Sequence, residues 1–328
     1  MPRSPLRRFG PPGHDGVPGN RWYLGAVSAS TSRAASLRDA GFHGELREEE
    51  RLAPLTTWKI GGPAELLATP ETPDDLGIAL RWAAEKGVPW RVLGNGSNLL
   101  IRDEGVRGLV LRVRKVLDGV RVLGTRIVAG AGAPLPVVAN LAAARGLGGL
   151  EFASGIPGTV GGAIVMNAGW HASEIGNVVE SVEWLDGRGV RSTLPREDCA
   201  FGYRTSAFRG RAGIVLEAAF ALAPDDPEVL RDRLLEYAAS RKANQPTELP
   251  SCGSVFLKPP NDFAGRLIEQ AGLKGLRVGG IEVSTKHANF FVNVGGGTAR
   301  DALALVERVE RTVAERFSVR LEREFEVW

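Results

Sequence analysis

The chain has 328 residues, 43% hydrophobic and 24% charged, which suits a globular protein of two or three domains and excludes a small stapled scaffold. No stretch reaches the roughly 18 consecutive apolar residues that cross a bilayer; Cys199 and Cys252 allow one disulfide at most, and four scattered histidines show no metal-ligand spacing, so no membrane, no metal and a reducing compartment are expected. The formal charge of +3 sits in residues 1–43, with six arginines against two acids, so the rest is near neutral and no nucleic-acid partner is expected.

Those first 43 residues are rich in Pro, Gly, Ser and Arg and lack both an apolar period and a secretory core, so they read as a disordered extension. A targeting role and an over-extended start are the other readings. From Glu45 onward short strands, glycine-rich turns and helices alternate. Thr72-Pro73-Asp74-Asp75 supplies an N-cap, a first-turn proline and two acids at the positive end of a helix. Leu76, Ala79, Leu80 and Ala83 give that helix one apolar face, and Gly87 stops it. Strands are expected at 91–93, 99–101 and 110–113, in the pair 120–123 with 126–129, and in the pair 178–185 with 190–194. A helix over 134–145 closes at Gly146.

At Pro224-Asp225-Asp226-Pro227 the character changes, and a domain boundary is expected there, followed by a helix that Asp226 caps and that runs to Asn244. Beyond lie a helix at 263–271, a strand at 289–294, and a helix opening at Thr298 with Asp301 in the capping-box position. Near the end Val319, Leu321, Phe325 and Val327 alternate with Glu322, Glu324 and Glu326. That alternation predicts a strand with three carboxylates on one face, where mutual repulsion would protonate the middle one; three solvated edge glutamates are the plainer reading.

Two glycine-rich segments suggest a ligand. Gly94-Asn95-Gly96-Ser97-Asn98 presents successive amides free of large side chains, which suits a diphosphate as well as a tight turn. It is not a phosphate loop of the Gly-Lys type, and the chain has no GxGxxG for a dinucleotide fold. Residues 154–169 hold five glycines and no charge, so backbone there is pressed against another chain segment or against a flat ligand. Arg204, between aromatics, is a structural ion pair or an anion clamp. Ser254 follows a glycine but has no nucleophile elbow and no nameable triad partner, so hydrolysis is not expected.

In their order these segments resemble the UDP-N-acetylenolpyruvoylglucosamine reductase family, and in particular its shorter, type II branch. The blocks that carry the resemblance are TTWKIGG (56–62), LGNGSNLLI (93–101), SGIPGTVGGAIVMNAG (154–169), GYRTSAF (202–208), PSCGSVF (250–256), FAGRLIEQAGLKG (263–275), GGIEVSTKHANFFVN (279–293) and LEREFE (321–326). The resemblance implies an α+β fold: a two-part FAD-binding region of the vanillyl-alcohol-oxidase (PCMH-like) type, over 44–110 and 111–223, plus a smaller α+β substrate-binding domain over 224–318. The strand at 319–328 would return to the FAD region.

It further implies non-covalent FAD held by Gly94, Asn95, Gly96, Ser97, Asn98, Gly155, Ile156, Pro157, Gly158, Thr159, Gly161 and Gly162, with Asn167 and Gly169 near the ring. Arg204, Ser254 and Glu324 would form the catalytic trio, and Tyr203, Lys242, Asn244, Lys258 and Asn289 would contact substrate. NADPH would give hydride to FAD, and the reduced flavin would give it to the enolpyruvyl methylene of UDP-N-acetylglucosamine-enolpyruvate. Arg204 and a protonated Glu324 would stabilise the developing charge, and Ser254 would protonate the adjacent carbon. A cytoplasmic monomer is expected. The chain departs from the family pattern at Asn244, where the family often has Lys, and at Leu257-Lys258. Two other readings remain: an FAD oxidase or dehydrogenase of the same fold, in which His171 could attach the flavin, and a non-catalytic nucleotide-binding paralogue.

Overall fold

The computed structural model describes residues 32–328. Arg33–Asp39 is a helix, α1, so the disordered reading of the first 43 residues is corrected for 33–43; residues 1–31 lie outside the described residues. The physical reason is two anchors that composition dilutes. Leu37 and Phe42 are fully buried in one core with Leu76, Leu80 and Ala83. Polar bonds complete the attachment: Trp82 Nε1 donates to Ser36 Oγ at 3.0 Å, and the Arg38 guanidinium donates to the carbonyls of Phe42 and Gly44.

Next come β1 (Glu45–Arg51), β2 (Pro63–Thr69), α2 (Pro73–Lys86), β3 (Trp90–Leu93), β4 (Leu99–Leu100) and β5 (Val106–Arg112). Helix α2 has the ends its sequence dictates: Thr72 and Asp75 form a reciprocal capping box, and Gly87 closes it at φ 63°. Four strands make a sheet in the order β1-β2-β5-β3, with β2 and β3 both parallel to the central β5. The loop between β3 and β4 therefore leaves the C-terminal end of a parallel strand.

A second layer follows: β6 (Val120–Leu123), β7 (Arg126–Gly130), α3 (Leu135–Ala144), β8 (Leu147–Gly148), α4 (Val160–Met166), β9 (Gly169–Trp170), β10 (Ser173–Glu174), β11 (Val179–Asp186), β12 (Arg191–Pro195), β13 (Gly213–Ala221) and β14 (Ala223–Pro224). Its main sheet is antiparallel, in the order β12-β11-β13-β7-β6. One continuous apolar cluster runs from Leu37 to Leu222, through both halves that the sequence divides at residue 110. Helix α5 (Pro227–Asn244) begins where Asp226 caps it. It lies on this first core and not with the segment that follows: Arg233 bridges Asp225 and Glu151, and Tyr237 packs on the cluster.

The C-terminal part contains β15 (Ser251–Ser254), α6 (Ala264–Gln270), β16 (Arg277–Val278), β17 (Ile281–Val283), β18 (Phe290–Asn293) and α7 (Ala299–Phe317), the last opening with a Thr298–Asp301 capping box. Its antiparallel sheet has the order β15-β18-β17-β16. Its core recruits Trp58, Ile60 and Leu100 from the first part, and Trp58 meets Phe325 edge to face at 5.7 Å.

The predicted terminal strand is corrected. Only β19 (Glu326–Val327) is regular, pairing in parallel with β4, while Arg323 makes a lone bridge to Phe256. The tail instead changes partner midway: Leu257 N donates to Glu322 O and Glu324 N to Val255 O, and then Glu326 N donates to Asn98 O. It thereby stitches the C-terminal part to the β3–β4 loop; Glu324 and Glu326 line one cavity while Glu322 is exposed outside it.

Candidate active site

The β3–β4 loop is GNGSN. Gly96 sits at φ 60°, and a Cβ there would lie 2.7 Å from Leu55 O, so only glycine fits against the preceding segment. A Cβ on Gly94 would come within 2.7 Å of Thr159 Oγ1, which shows how closely the second glycine segment abuts the first. Thr159 caps α4, accepting from Gly162 N. Between the segments opens a cavity of about 980 Å³. The backbone N–H groups of residues 95–98 find no acceptor among the described residues. A run of free amides facing a cavity is the donor set that a diphosphate needs, so the residues present fit the FAD that the sequence implies.

Of the fourteen residues expected at the cofactor, twelve line this cavity. Gly155 does not; it lines an adjoining cavity of about 560 Å³. Asn167 does not either, and its placement corrects the reading of it as a ring contact. It is buried at φ 43° as the C-cap of α4. Its amide donates to Glu174 Oε2 at 2.7 Å and Gly202 O at 2.9 Å, and its Oδ1 accepts from Gly176 N. Its amide is thus committed within the protein, to the Glu174 carboxylate and to the backbone of Gly202 and Gly176.

One of those neighbours is the turn that carries Arg204. Gly202 and Thr205 exchange both backbone hydrogen bonds, leaving Arg204 at φ 54° on the tip. Its Nε donates to Glu324 Oε1 at 2.8 Å and its Nη2 to Gly169 O at 2.9 Å. The two side chains are only 18% and 14% exposed. The third nitrogen, Nη1, is buried with no hydrogen-bond partner. A buried guanidinium nitrogen left unpaired marks where an acceptor is missing, and the residue that carries it lines the cavity.

Glu324 is fixed from both sides, its N–H by Val255 O and its carbonyl by Asn98 Nδ2 at 3.1 Å. Burial pushes its carboxyl above the usual range, and Arg204 opposes that shift without cancelling it. The direction matches the expectation from sequence, but the cause is corrected: desolvation and not repulsion from Glu322 and Glu326. Ser254 ends β15, where Gly253 at φ 83° and a register shift against β18 interrupt the ladder. It lines the same cavity, and its hydroxyl makes no hydrogen bond among the described residues. Arg204, Ser254 and Glu324, 50 and 70 positions apart, thus meet at one wall.

The five expected substrate contacts lie in neither cavity wall. Asn289 is buried and bonds both backbone groups of Phe256, at 3.0 and 2.9 Å, which anchors the PSCGSVF block. Asn244 folds back onto Ser240 O, and the Lys242 carbonyl accepts from Lys286. Tyr203 is 51% exposed and its hydroxyl accepts from Lys258 N, tying the Arg204 turn to the C-terminal part; the Lys258 ammonium rests 4.5 Å from the Phe263 ring. Sequence reasoning missed Arg241 and Gln245, which line both cavities. They sit at the end of a helix so charged throughout that its pattern singles out no residue. Cys252 also lines the larger cavity, where burial foremost, and then Glu324, push its thiol far up and keep it unreactive.

An amide cradle beside a buried acid–guanidinium pair defines the class, a flavin-dependent oxidoreductase, and residues 64–194 match the family model described as FAD binding domain. Residues 245–328 match the model of the UDP-N-acetylenolpyruvoylglucosamine reductase C-terminal domain. The chain is 53% identical to the UDP-N-acetylenolpyruvoylglucosamine reductase of Rubrobacter xylanophilus, covering 85% of this chain and 94% of that one. It is 47% identical to that of Moorella thermoacetica, over 91% and 98%. Among solved structures, the reductase of Thermus caldophilus superposes with a TM-score of 0.75 at 40% identity, over 88% of this chain and 99% of that one. The chain belongs to the UDP-N-acetylenolpyruvoylglucosamine reductase family, and FAD is its cofactor.

Proposed function

We propose that the chain reduces the enolpyruvyl group of UDP-N-acetylglucosamine-enolpyruvate to the lactyl ether of UDP-N-acetylmuramate, a step of peptidoglycan precursor synthesis, with NADPH as hydride donor. The observation that carries the proposal is the Arg204–Glu324 pair, its Nη1 unpaired, lining with Ser254 the FAD-sized cavity. When bound, FAD supplies the hydride chemistry, accepting hydride from NADPH and passing it to the enolpyruvyl methylene.

The remaining work belongs to side chains. Arg204 Nη1 donates to the substrate carboxylate and disperses the charge that grows there as hydride arrives. Glu324 keeps one oxygen on Arg204 Nε; its raised pKa favours a proton on the other, which donates to the same developing enolate. The Ser254 hydroxyl, uncommitted to the protein, delivers a proton to the neighbouring carbon and recovers one from water, so that hydride and proton together complete the reduction.

FAD is held without a covalent bond: His171 lies outside the cavity walls, stacked against Tyr237, and the thiol that does line the cavity is held protonated. The FAD-holding part extends through α5 and the substrate cap begins near residue 245, with the tail returning to the cradle. No helix among the described residues is long and apolar enough to cross a membrane, and work on nucleotide substrates suits a cytoplasmic monomer. Anaerobic titration of the purified protein tests the reading. NADPH should bleach a bound flavin, and UDP-N-acetylglucosamine-enolpyruvate should restore its colour. Recovery of colour only with oxygen would identify an oxidase instead.

A further inference from the structure

Arg204 and Glu324 hold each other, but the Ser254 hydroxyl has no partner among the described residues, so its aim depends on the backbone that carries it. Upstream that backbone is soft. β15 meets β18 at Ser251 with Val292 and at Ser254 with Phe290, and the extra residue is taken up beside Gly253, which stands at φ 83° with nothing within 4 Å of where its Cβ would lie. A bulge with an open glycine does not by itself fix the side chain that follows. Downstream the regular ladder ends at Ser254, yet Val255 and Phe256 are buried. Val255 still finds main chain: its N–H donates to Asn289 O at 2.8 Å and its carbonyl accepts from Glu324 N at 2.9 Å. Phe256 finds no main-chain partner among the described residues. Its N–H donates to Asn289 Oδ1 at 3.0 Å and its carbonyl accepts from Asn289 Nδ2 at 2.9 Å. One side-chain amide thus does for Phe256 what a residue of a neighbouring strand does in a ladder, giving an acceptor and a donor to the same residue. The amide is itself well placed for this, since Asn289 is buried and its N–H is tied to His287 Nδ1 at 3.2 Å just ahead of β18.

We infer that Asn289 is a positioning residue for the proton-delivery step: its amide clamps Phe256, two residues beyond Ser254, and so aims the serine hydroxyl into the cavity. The inference rests on the reading of Ser254 given above. Asn289 lines neither cavity, so it acts through the serine and not by touching substrate. An apolar side chain of the same size would fill the space but strand a buried N–H and a buried carbonyl, and the end of the strand would be free to turn about Gly253. The acid is held separately, its carbonyl by Asn98 Nδ2 and its carboxylate by Arg204 Nε. Loss of the Asn289 amide should therefore disturb the serine and spare Glu324.

The test joins a measurement without turnover to a mutant cycle, both on the FAD-loaded protein. In Asn289→Ala, amide hydrogen exchange over residues 254–258 should quicken about 10-fold or more, because the Phe256 N–H loses its acceptor. In stopped flow the same variant should slow reoxidation of the flavin by UDP-N-acetylglucosamine-enolpyruvate by about 10–100-fold, the effect of a small misplacement of a reacting group, and leave reduction by NADPH nearly unchanged. Added to Ser254→Ala it should cause no further loss, since a positioning residue then has nothing left to position. Asn289→Asp keeps the shape and the bond to Phe256 N but sets an oxygen where the Phe256 carbonyl needs a donor. It should show a smaller loss of the same kind, and it carries the cycle if Asn289→Ala does not fold. Unchanged exchange overturns the inference, as do losses that add to those of Ser254→Ala or that fall on both half-reactions alike. A wild-type protein that the enolpyruvyl nucleotide failed to reoxidise would refute the reaction instead, and the exchange rates would still decide whether the clamp exists.

Discussion

In the proposed reaction Glu324 stays protonated while hydrogen-bonded to a guanidinium, and its environment favours both. Desolvation raises its pKa and Arg204 lowers it, with desolvation ahead. The acid form is present below this raised pKa and is lost as pH rises through it, so the rate of the enolpyruvyl half-reaction should fall on the alkaline side. Glu324→Gln keeps an acceptor for Arg204 Nε and a donor for substrate, so it should flatten that limb and slow the step less than Glu324→Ala. Stopped-flow rates across pH decide it; equal losses would mean that proton transfer, and not hydrogen bonding, is what Glu324 supplies. Ser254→Ala should separate the half-reactions. Flavin reduction by NADPH needs no proton delivered to an enol and should be nearly normal, whereas the second half should lose ~10²–10⁴-fold. If NADPH reduction slows as much, the serine shapes a site common to both substrates.

At the scale of elements, the residues that hold α1 to α2 form a unit that composition alone hid. Asp75 has a fully buried carboxylate that accepts from the N–H groups of His43, Glu71 and Thr72. Burial alone would raise its pKa, but the three backbone bonds together pull it below the usual range. The stabilisation it gives is present above its unfolded pKa and is lost as pH falls through the lower folded value. Asp75→Ala should cost about 2–4 kcal/mol, since three backbone donors lose their acceptor, and should weaken the acid dependence of unfolding. Removing residues 33–43 also exposes the pocket that Leu37 and Phe42 fill. A chain starting at Gly44 should be roughly 3–6 kcal/mol less stable than one starting at Ser32, from two buried side chains at about 1.5–3 kcal/mol each. Matching melting temperatures would show that α1 merely lies on the surface.

What the sequence disclosed and what it hid divide along the range of the forces involved. Both ends of helices α2 and α5, and the start of α7, were legible to within a residue because capping is settled by a few consecutive residues, as with Thr72 and Asp75 or Thr298 and Asp301. The residues proposed as the catalytic trio and most of those of the cradle were named through motif resemblance, and they line one cavity. Asn167 and Asn289 were misread because an asparagine that caps a helix or bonds backbone is indistinguishable, in sequence, from one that binds a ligand. The tail was misread as one strand because its partners, Val255, Asn98 and Leu100, belong to different elements up to 228 positions away.

That tail is the device by which the whole molecule closes its site. Trp328 N donates to Leu100 O and its carbonyl accepts from Arg102 N, both at 2.9 Å, while Glu326 N reaches Asn98 O at 3.0 Å. The Trp328 ring lies 5.3 Å from the Arg91 guanidinium, and both Glu326 and Trp328 line the larger cavity. Deleting residues 326–328 removes the partly buried Val327 and Trp328 from the core edges but keeps the tail's buried anchors, Leu321 and Phe325, so the shortened chain should still fold. It loses three backbone bonds at about 0.5–1.5 kcal/mol each, and the loosened part carries both Asn98 of the cradle and, through the Asn98–Glu324 bond, the acid proposed to act on the enolpyruvyl group. FAD affinity should therefore fall on the order of 10- to 10³-fold, which a total of ~1.5–4.5 kcal/mol represents. With FAD in excess, the enolpyruvyl half-reaction should remain slower than reduction by NADPH, because only the former depends on where Glu324 stands. Flavin titration followed by stopped-flow of each half-reaction reads both effects. If restored FAD brought the two half-reactions back equally, the tail would be a clasp for the cofactor and would have no share in placing the acid.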